Sequence, residues 1–236
     1  MAPSSSLGVL FALACAAAAA QAAPPAVRWV DWTGADTLGA SAGNVVTGHL
    51  RPPGARVDVS YTGPTSFVQL DPLPSTDYWS EGVPPAYRST GRPAGSDLIA
   101  LDGGDASVHA LRFSRPVANP VLAILSLGQA GLPVGYEFTQ APVLLDSGVG
   151  YWGGCAGCLS VDGRTLRGEE GHGLIRFTGL VSEISWTAPT FEHWHGFTVG
   201  VVPEASRAGL LLAGVLALGG VAQWRRRRRA PRHAGA

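Results

Sequence analysis

Over most of this chain apolar and polar residues alternate with a period of two, and a glycine or proline interrupts the pattern about every ten residues. Successive side chains of an extended strand point to opposite faces, so a chain patterned this way must bury its apolar residues in sheets. In 56–61, Val57, Val59 and Tyr61 share one face while Arg56, Asp58 and Ser60 share the other. His109, Leu111 and Phe113 likewise oppose Ala110, Arg112 and Ser114. Ile175 and Phe177 alternate with Arg176 and Thr178, Ile184 and Trp186 with Glu183 and Ser185, and Phe197, Val199 and Val201 with Thr198 and Gly200. These are expected to be half-buried strands. The run 121–127 is apolar almost throughout, as in a strand covered on both faces. Further strands are expected near 27–32, 43–50, 134–139, 143–146 and 159–161, and no segment of 23–201 carries a helical stripe. The expected fold is all-β, an antiparallel two-sheet β-sandwich of jelly-roll-like form. Pro72, Pro74, Pro84, Pro85 and Pro93 make 71–95 irregular, and so long a loop is a place to look for a binding surface.

The two ends follow other rules. Residues 1–22 read as a signal peptide, with an apolar stretch over 7–20 and a small-residue cleavage site at Ala20, Gln21 and Ala22. No Lys or Arg precedes the apolar stretch, and Cys15 lacks the leucine three residues earlier that a lipoprotein signal would carry. At the other end Val202, Pro203 and Glu204 are followed by the apolar run 208–222, then Gln223, Trp224 and five arginines, Arg225, Arg226, Arg227, Arg228 and Arg229. A helix needs about 20 apolar residues to cross a bilayer. The run therefore makes a short span, helped by an interfacial Trp224 and snorkelling arginines.

This three-part tail resembles the PEP-CTERM sorting signal, which an exosortase recognises in Gram-negative bacteria; Ala205 stands where that signal usually has a second proline. The resemblance implies export through the inner membrane, transient anchorage there by one transmembrane helix, and delivery to the cell surface or the extracellular space. It divides the chain into a signal peptide (1–22), an exported domain (23–201), a sorting signal (202–229) and a cytoplasmic tail (230–236). The segments NPVLAILSLGQAGLPVGYEF, GYWGG, LRGEEGHGLIRF and ISWTAPTFEHWHGFTVGV resemble a recurring ectodomain of PEP-CTERM proteins, a resemblance that implies no catalytic residue. Its association with exopolysaccharide-producing bacteria makes exopolysaccharide the ligand to consider.

Charge narrows the partners. The chain has no lysine, and 23–202 carries 10 arginines against 16 aspartates and glutamates, a net of −6. An acidic domain lacks the basic face that nucleic acid requires. The arginine run is explained instead by the enrichment of Lys and Arg on the cytoplasmic side of membrane spans.

Several groups bear on chemistry. Cys155 and Cys158, in GGCAGCL, form a local disulfide in an oxidising compartment, a redox pair if a helix follows, or a zinc site if two of His172, His193 and His195 converge on them. On a strand, His193 and His195 would share a face, either as ligands or at a polar sheet rim with Trp194 turned into the core. Asp102, Gly103, Gly104 and Asp105 suit a hairpin turn or a calcium loop. Gly148, Gly150 and Gly153 match a dinucleotide fingerprint without the helix it needs, and no metalloprotease, lipase-type or P-loop string occurs. Of six tryptophans in 23–202, Trp79 and Trp152, beside Tyr78 and Tyr151, are candidates to stack on sugar rings. The expected function is a non-catalytic surface or matrix protein that binds exopolysaccharide, with no catalytic residue assigned. The alternative is a metal-assisted polysaccharide hydrolase or lyase using His172, His193, His195 and the acids around Glu169.

Overall fold

The computed structural model describes residues 26–38, 43–52, 54–71, 76–93 and 95–203. The signal peptide, Glu204, the apolar run 208–222, Arg225 to Arg229 and the tail 230–236 lie outside the described residues. Among the described residues every regular element is a strand, and none is a helix able to cross a membrane. In chain order the strands are β1 (Arg28–Trp29), β2 (Asp31–Asp36), β3 (Val45–Leu50), β4 (Val57–Thr62), β5 (Phe67–Gln69), β6 (Leu98–Leu101), β7 (Val108–Ala118) and β8 (Pro120–Leu127). They continue with β9 (Val134–Phe138), β10 (Val143–Gly150), β11 (Gly153–Gly154), β12 (Leu159–Asp162), β13 (Thr165–Gly168), β14 (Gly171–Arg176), β15 (Leu180–Thr187) and β16 (His195–Val201).

Two sheets form, and all their strand pairs are antiparallel. One runs β11-β10-β14-β8-β16-β6-β5, with β1 also on β16; the other runs β12-β13-β9-β15-β7-β4-β3-β2. The alternation works as the sequence requires: in β4, Val57, Val59 and Tyr61 are buried while Asp58 is exposed. Trp32, Tyr61, Tyr136, Phe177, Trp186 and Phe197 fill the space between the sheets.

The first sheet is covered a second time. β8 and β16 are buried at every residue because Trp79, Ala86 and Tyr87 of the 71–97 segment pack on Leu98, Val121, Ala123 and Leu125 across its outer face. β16 is therefore not the half-buried strand expected. The covering segment is closed at its base, where the Asp71 amide donates to Asp97 Oδ1 (2.7 Å), the Ser96 amide to Asp71 Oδ1 (3.1 Å) and the Trp32 amide to Asp97 Oδ2 (2.8 Å). It is pinned along its length by Trp79 Nε1 to the Asp97 carbonyl (3.1 Å), Tyr87 Oη to the Ile124 carbonyl (3.0 Å) and the Ser89 amide to Asp146 Oδ2 (2.6 Å).

Two expectations change for the same reason. The segment 27–32 is not one strand, because Val27 and Trp29 serve the outer apolar layer while Val30 and Trp32 serve the inner core. The parity breaks at Val30, and the chain passes from β1 in one sheet to β2 in the other. Residues 102–105 likewise join β6 to β7 across the two sheets rather than closing a hairpin, with the Gly104 amide donating to the Ala188 carbonyl (2.8 Å).

His109 lies in the sandwich interior, stacked on Trp186 at 5.3 Å. Tyr61 Oη donates to the Pro64 carbonyl (2.6 Å), so His109 Nδ1 must be the donor in its 2.7 Å bond to that hydroxyl. Burial, reinforced by the nearby His195, lowers the His109 pKa from 6.5 to about 4. The unfolded chain thus takes up this proton first as the pH falls. The stabilisation is complete above pH 6.5 and is lost on descending toward pH 4, in all about 3 kcal/mol. Urea unfolding at a series of pH values will show this loss in the native chain, and His109→Phe will flatten the slope across that window.

Candidate functional site

A bulge in β8 creates the site. Gly171 pairs with Leu127 and Gly173 with Ile124, so Leu125 and Ser126 together oppose the single residue His172. Bulges re-aim side chains. Ser126 (φ 52°) and Glu170 (φ 61°) both take the left-handed backbone conformation, which among the described non-glycine residues only Asn119 shares. That conformation costs a non-glycine residue on the order of 1 kcal/mol or more, and such strain gathers at functional sites.

The strained backbone brings three side chains together. Ser126 Oγ donates to Glu170 Oε1 (2.6 Å), and the Ser126 amide donates to His172 Nδ1 (3.2 Å). Since Nδ1 accepts, the proton of the neutral ring is on Nε2, which donates to the same Glu170 Oε1 (3.2 Å). Burial acts to raise the Glu170 pKa, but the bonds from His172 and Ser126 outweigh it and hold the carboxyl below its usual value. These are the residue types of a catalytic triad in the wrong order. Ser126 donates to the glutamate, and its amide occupies the histidine nitrogen that would have to accept a proton from a nucleophile.

The β10–β11 hairpin lies directly over this group. A Cβ at Gly150 would stand 2.3 Å from His172 Nδ1, and one at Gly154 would stand 2.3 Å from the Glu170 carbonyl oxygen. Only glycine permits the approach. A second glutamate is fixed nearby, because Glu192 Oε2 accepts from the Gly128 amide (2.9 Å) and from His195 Nδ1 (2.8 Å). Gly128 is two residues beyond Ser126, so the two carboxylates are secured at one end of β8.

Between them opens a cleft of about 320 Å³, lined by Ser126, Gln129, Trp152, Glu170, Glu192, His193 and Trp194. Trp152, at the tip of the β10–β11 hairpin, is 43% exposed. It stands edge-on to Trp194 (4.7 Å, 76°) and stacks on Tyr78 (5.2 Å, 26°), while Phe67 supports Trp194 from behind (5.1 Å). The result is an aromatic wall braced from two sides, beside two glutamates.

The residues singled out from sequence fall in three places. Trp152 and His193 reach the rim of the cleft, and His193 is exposed. His172 and His195 are wholly buried beneath it, each bonded to one glutamate, so neither meets a ligand directly. His193 and His195 do not share a strand face, because β16 begins only at His195. Trp79 is wholly buried under the covering segment and offers no face for stacking; it is an anchor of that segment. Cys155 and Cys158 are joined in a disulfide, which removes both sulfurs from any zinc ligand set. Among the described residues no group of three or more His, Cys, Asp or Glu side chains is arranged to hold a metal. Val202 and Pro203 are half-buried just past β16, beside a hollow that includes Pro52, Arg115 and Leu180. Trp194 is at the wall of the cleft rather than in the core. Ser126 and Gln129 carry no motif that marks them, although a lone serine in the apolar run 121–127 is a signal of something other than packing.

Comparison with protein-family models, with curated proteins and with solved structures gives no significant match to this chain.

Two tryptophan substitutions separate anchor from rim. Trp79→Ala should cost about 3–5 kcal/mol in urea unfolding, as for other fully buried aromatic rings. Trp152→Ala, at a half-open site, should cost about 1 kcal/mol. Equal costs would contradict the assignment of roles.

Proposed function

We propose that this chain is an exported, exosortase-sorted surface or matrix protein whose jelly-roll-like β-sandwich binds exopolysaccharide without cleaving it. The observation that carries the binding half is Trp152, a large aromatic side chain kept partly open to solvent and braced by Trp194, Tyr78 and Tyr151. Sugar rings present a C–H face suited to such a surface, and a few polar groups at its edge then orient the hydroxyls. Glu170, Gln129 and His193 are so placed. The jelly-roll-like reading is supported by the path of the chain, because from β6 onward it alternates between the sheets, apart from the β10–β11 and β12–β13 hairpins.

The binding reading is preferred to hydrolysis for a chemical reason. Glycoside cleavage pairs a protonated general acid with an ionised carboxylate; Glu170, held below its usual value, does not suit the acid role, and Glu192 is fixed by the Gly128 amide and His195 Nδ1. The metal-assisted alternative relied on His172, His193 and His195, two of which are bound to glutamates in the interior.

The sorting half rests on the sequence. Residues 1–22 act as the signal peptide, Val202, Pro203 and Glu204 as the recognition motif, 208–222 as the single transmembrane helix, and Arg225 to Arg229 as the membrane stop. The inner membrane is a transient anchor.

Two measurements test these halves. The full chain in detergent should be retarded in gels containing polysaccharide from exopolysaccharide-producing bacteria, and Trp152→Ala should weaken binding at least tenfold while lowering the melting temperature by only about 2–4 °C. Retardation indifferent to that substitution would overturn the site. For sorting, the mass of the surface form made beside an exosortase should lack 208–236, and Glu204→Ala should leave the tail in place. An uncut native tail on the surface form would refute this half.

A further inference from the structure

Resting on the polysaccharide reading above, we infer that the cleft selects a glycan carrying free amines, an amino sugar in its cationic form, over neutral sugars and uronic acids. Two carboxylates, Glu170 and Glu192, line the cleft, and among the described residues no arginine does. Glu169, on the same turn as Glu170, and Arg167 line a separate hollow with Cys155 and Cys158. The whole domain has the same sign, with 10 arginines against 16 acidic residues in 23–202.

Glu170 is the group built for this role. Its Oε1 already accepts two hydrogen bonds, from Ser126 Oγ and His172 Nε2, and among the described residues its Oε2 accepts none. The side chain keeps 20% of its surface open. Burial opposes its ionisation, yet the two donors hold the carboxyl below its usual value, so it stays anionic without help from a ligand. An ammonium group brings three donors to such an oxygen, and the bond is charge-assisted. Trp152 beside it adds a ring face that attracts cations. A sugar ring lying on Trp152 with its ammonium at Glu170 Oε2 thus satisfies both walls. A uronate would bring a like charge to Glu170 and Glu192, and an N-acetylated or plain hydroxyl sugar would form no ion pair.

The test uses the full chain in detergent and four hexasaccharides: glucosamine, N-acetylglucosamine, glucose and galacturonate, followed by calorimetry. The glucosamine oligomer should bind at least tenfold more tightly than the other three, and its advantage should shrink as salt screens the ion pair. Glu170→Gln should abolish the preference while Trp152→Ala weakens every sugar that binds. Because the salt titration is made on the native chain, a misfolded Glu170→Gln protein would not leave the question open. Equal affinity for the amine and neutral oligomers, or a preference for galacturonate, would overturn this inference and leave polysaccharide binding intact. Failure to bind any of these oligomers would overturn it too, and failure to bind whole polysaccharide as well would remove the reading on which it rests.

Discussion

Burial of one sheet on both faces is the constraint from which the rest of the architecture follows. β8 and β16 have no solvent side. One face is met by the opposing sheet, and the other must be covered by something that cannot itself be a sheet, since Pro84, Pro85 and Pro93 deny it the ladder. The 71–97 segment answers with two fully buried aromatic rings, Trp79 and Tyr87, and with side-chain-to-backbone bonds in place of strand pairing. Its position also sets the neighbourhood of the cleft. The Gly82 amide bonds the Val149 carbonyl and the Val149 amide bonds the Pro84 carbonyl, so the covering segment and the β10–β11 hairpin are held as one unit with Tyr78 against Trp152.

The cleft combines local strain with tight polar accounting. Ser126 and Glu170 adopt backbone conformations that nothing in strand geometry favours, and the return is a carboxylate held by two donors on one oxygen. His172 and His195 play parallel parts, each fully buried, each donating a hydrogen bond to a glutamate that reaches the cleft. Their role is to orient and hold charge, as supporting partners do around binding sites elsewhere.

Much of the sandwich is legible in the sequence because the central strands of its second sheet face water on one side. β4, β7 and β15 alternate as written, with Tyr61, Leu111 and Trp186 turned inward. The pattern misleads where a second apolar layer removes the solvent side, as in β16 and at the break between β1 and β2, because period two no longer distinguishes inside from outside there. Residues 76–93 form no strand, as their prolines require, and although Val83 and others remain exposed, Trp79 and Tyr87 turn toward the sheet. The histidines stand out for good reason, yet their task differs from the one their types suggest. Composition and spacing point to ligands, whereas only the bulge opposite His172 and the late start of β16 decide which way each ring faces.

One feature of β16 sets the polarity of the whole molecule. The strand starts at His195, directly after the cleft residues His193 and Trp194, and ends at Val201, paired there with Arg28 of β1. Seven extended residues span roughly 20 Å. The cleft thus sits at one pole of the sandwich, and the polypeptide enters and leaves at the other, through neighbouring strands. Under the anchorage proposed above, the aromatic wall would face away from the membrane.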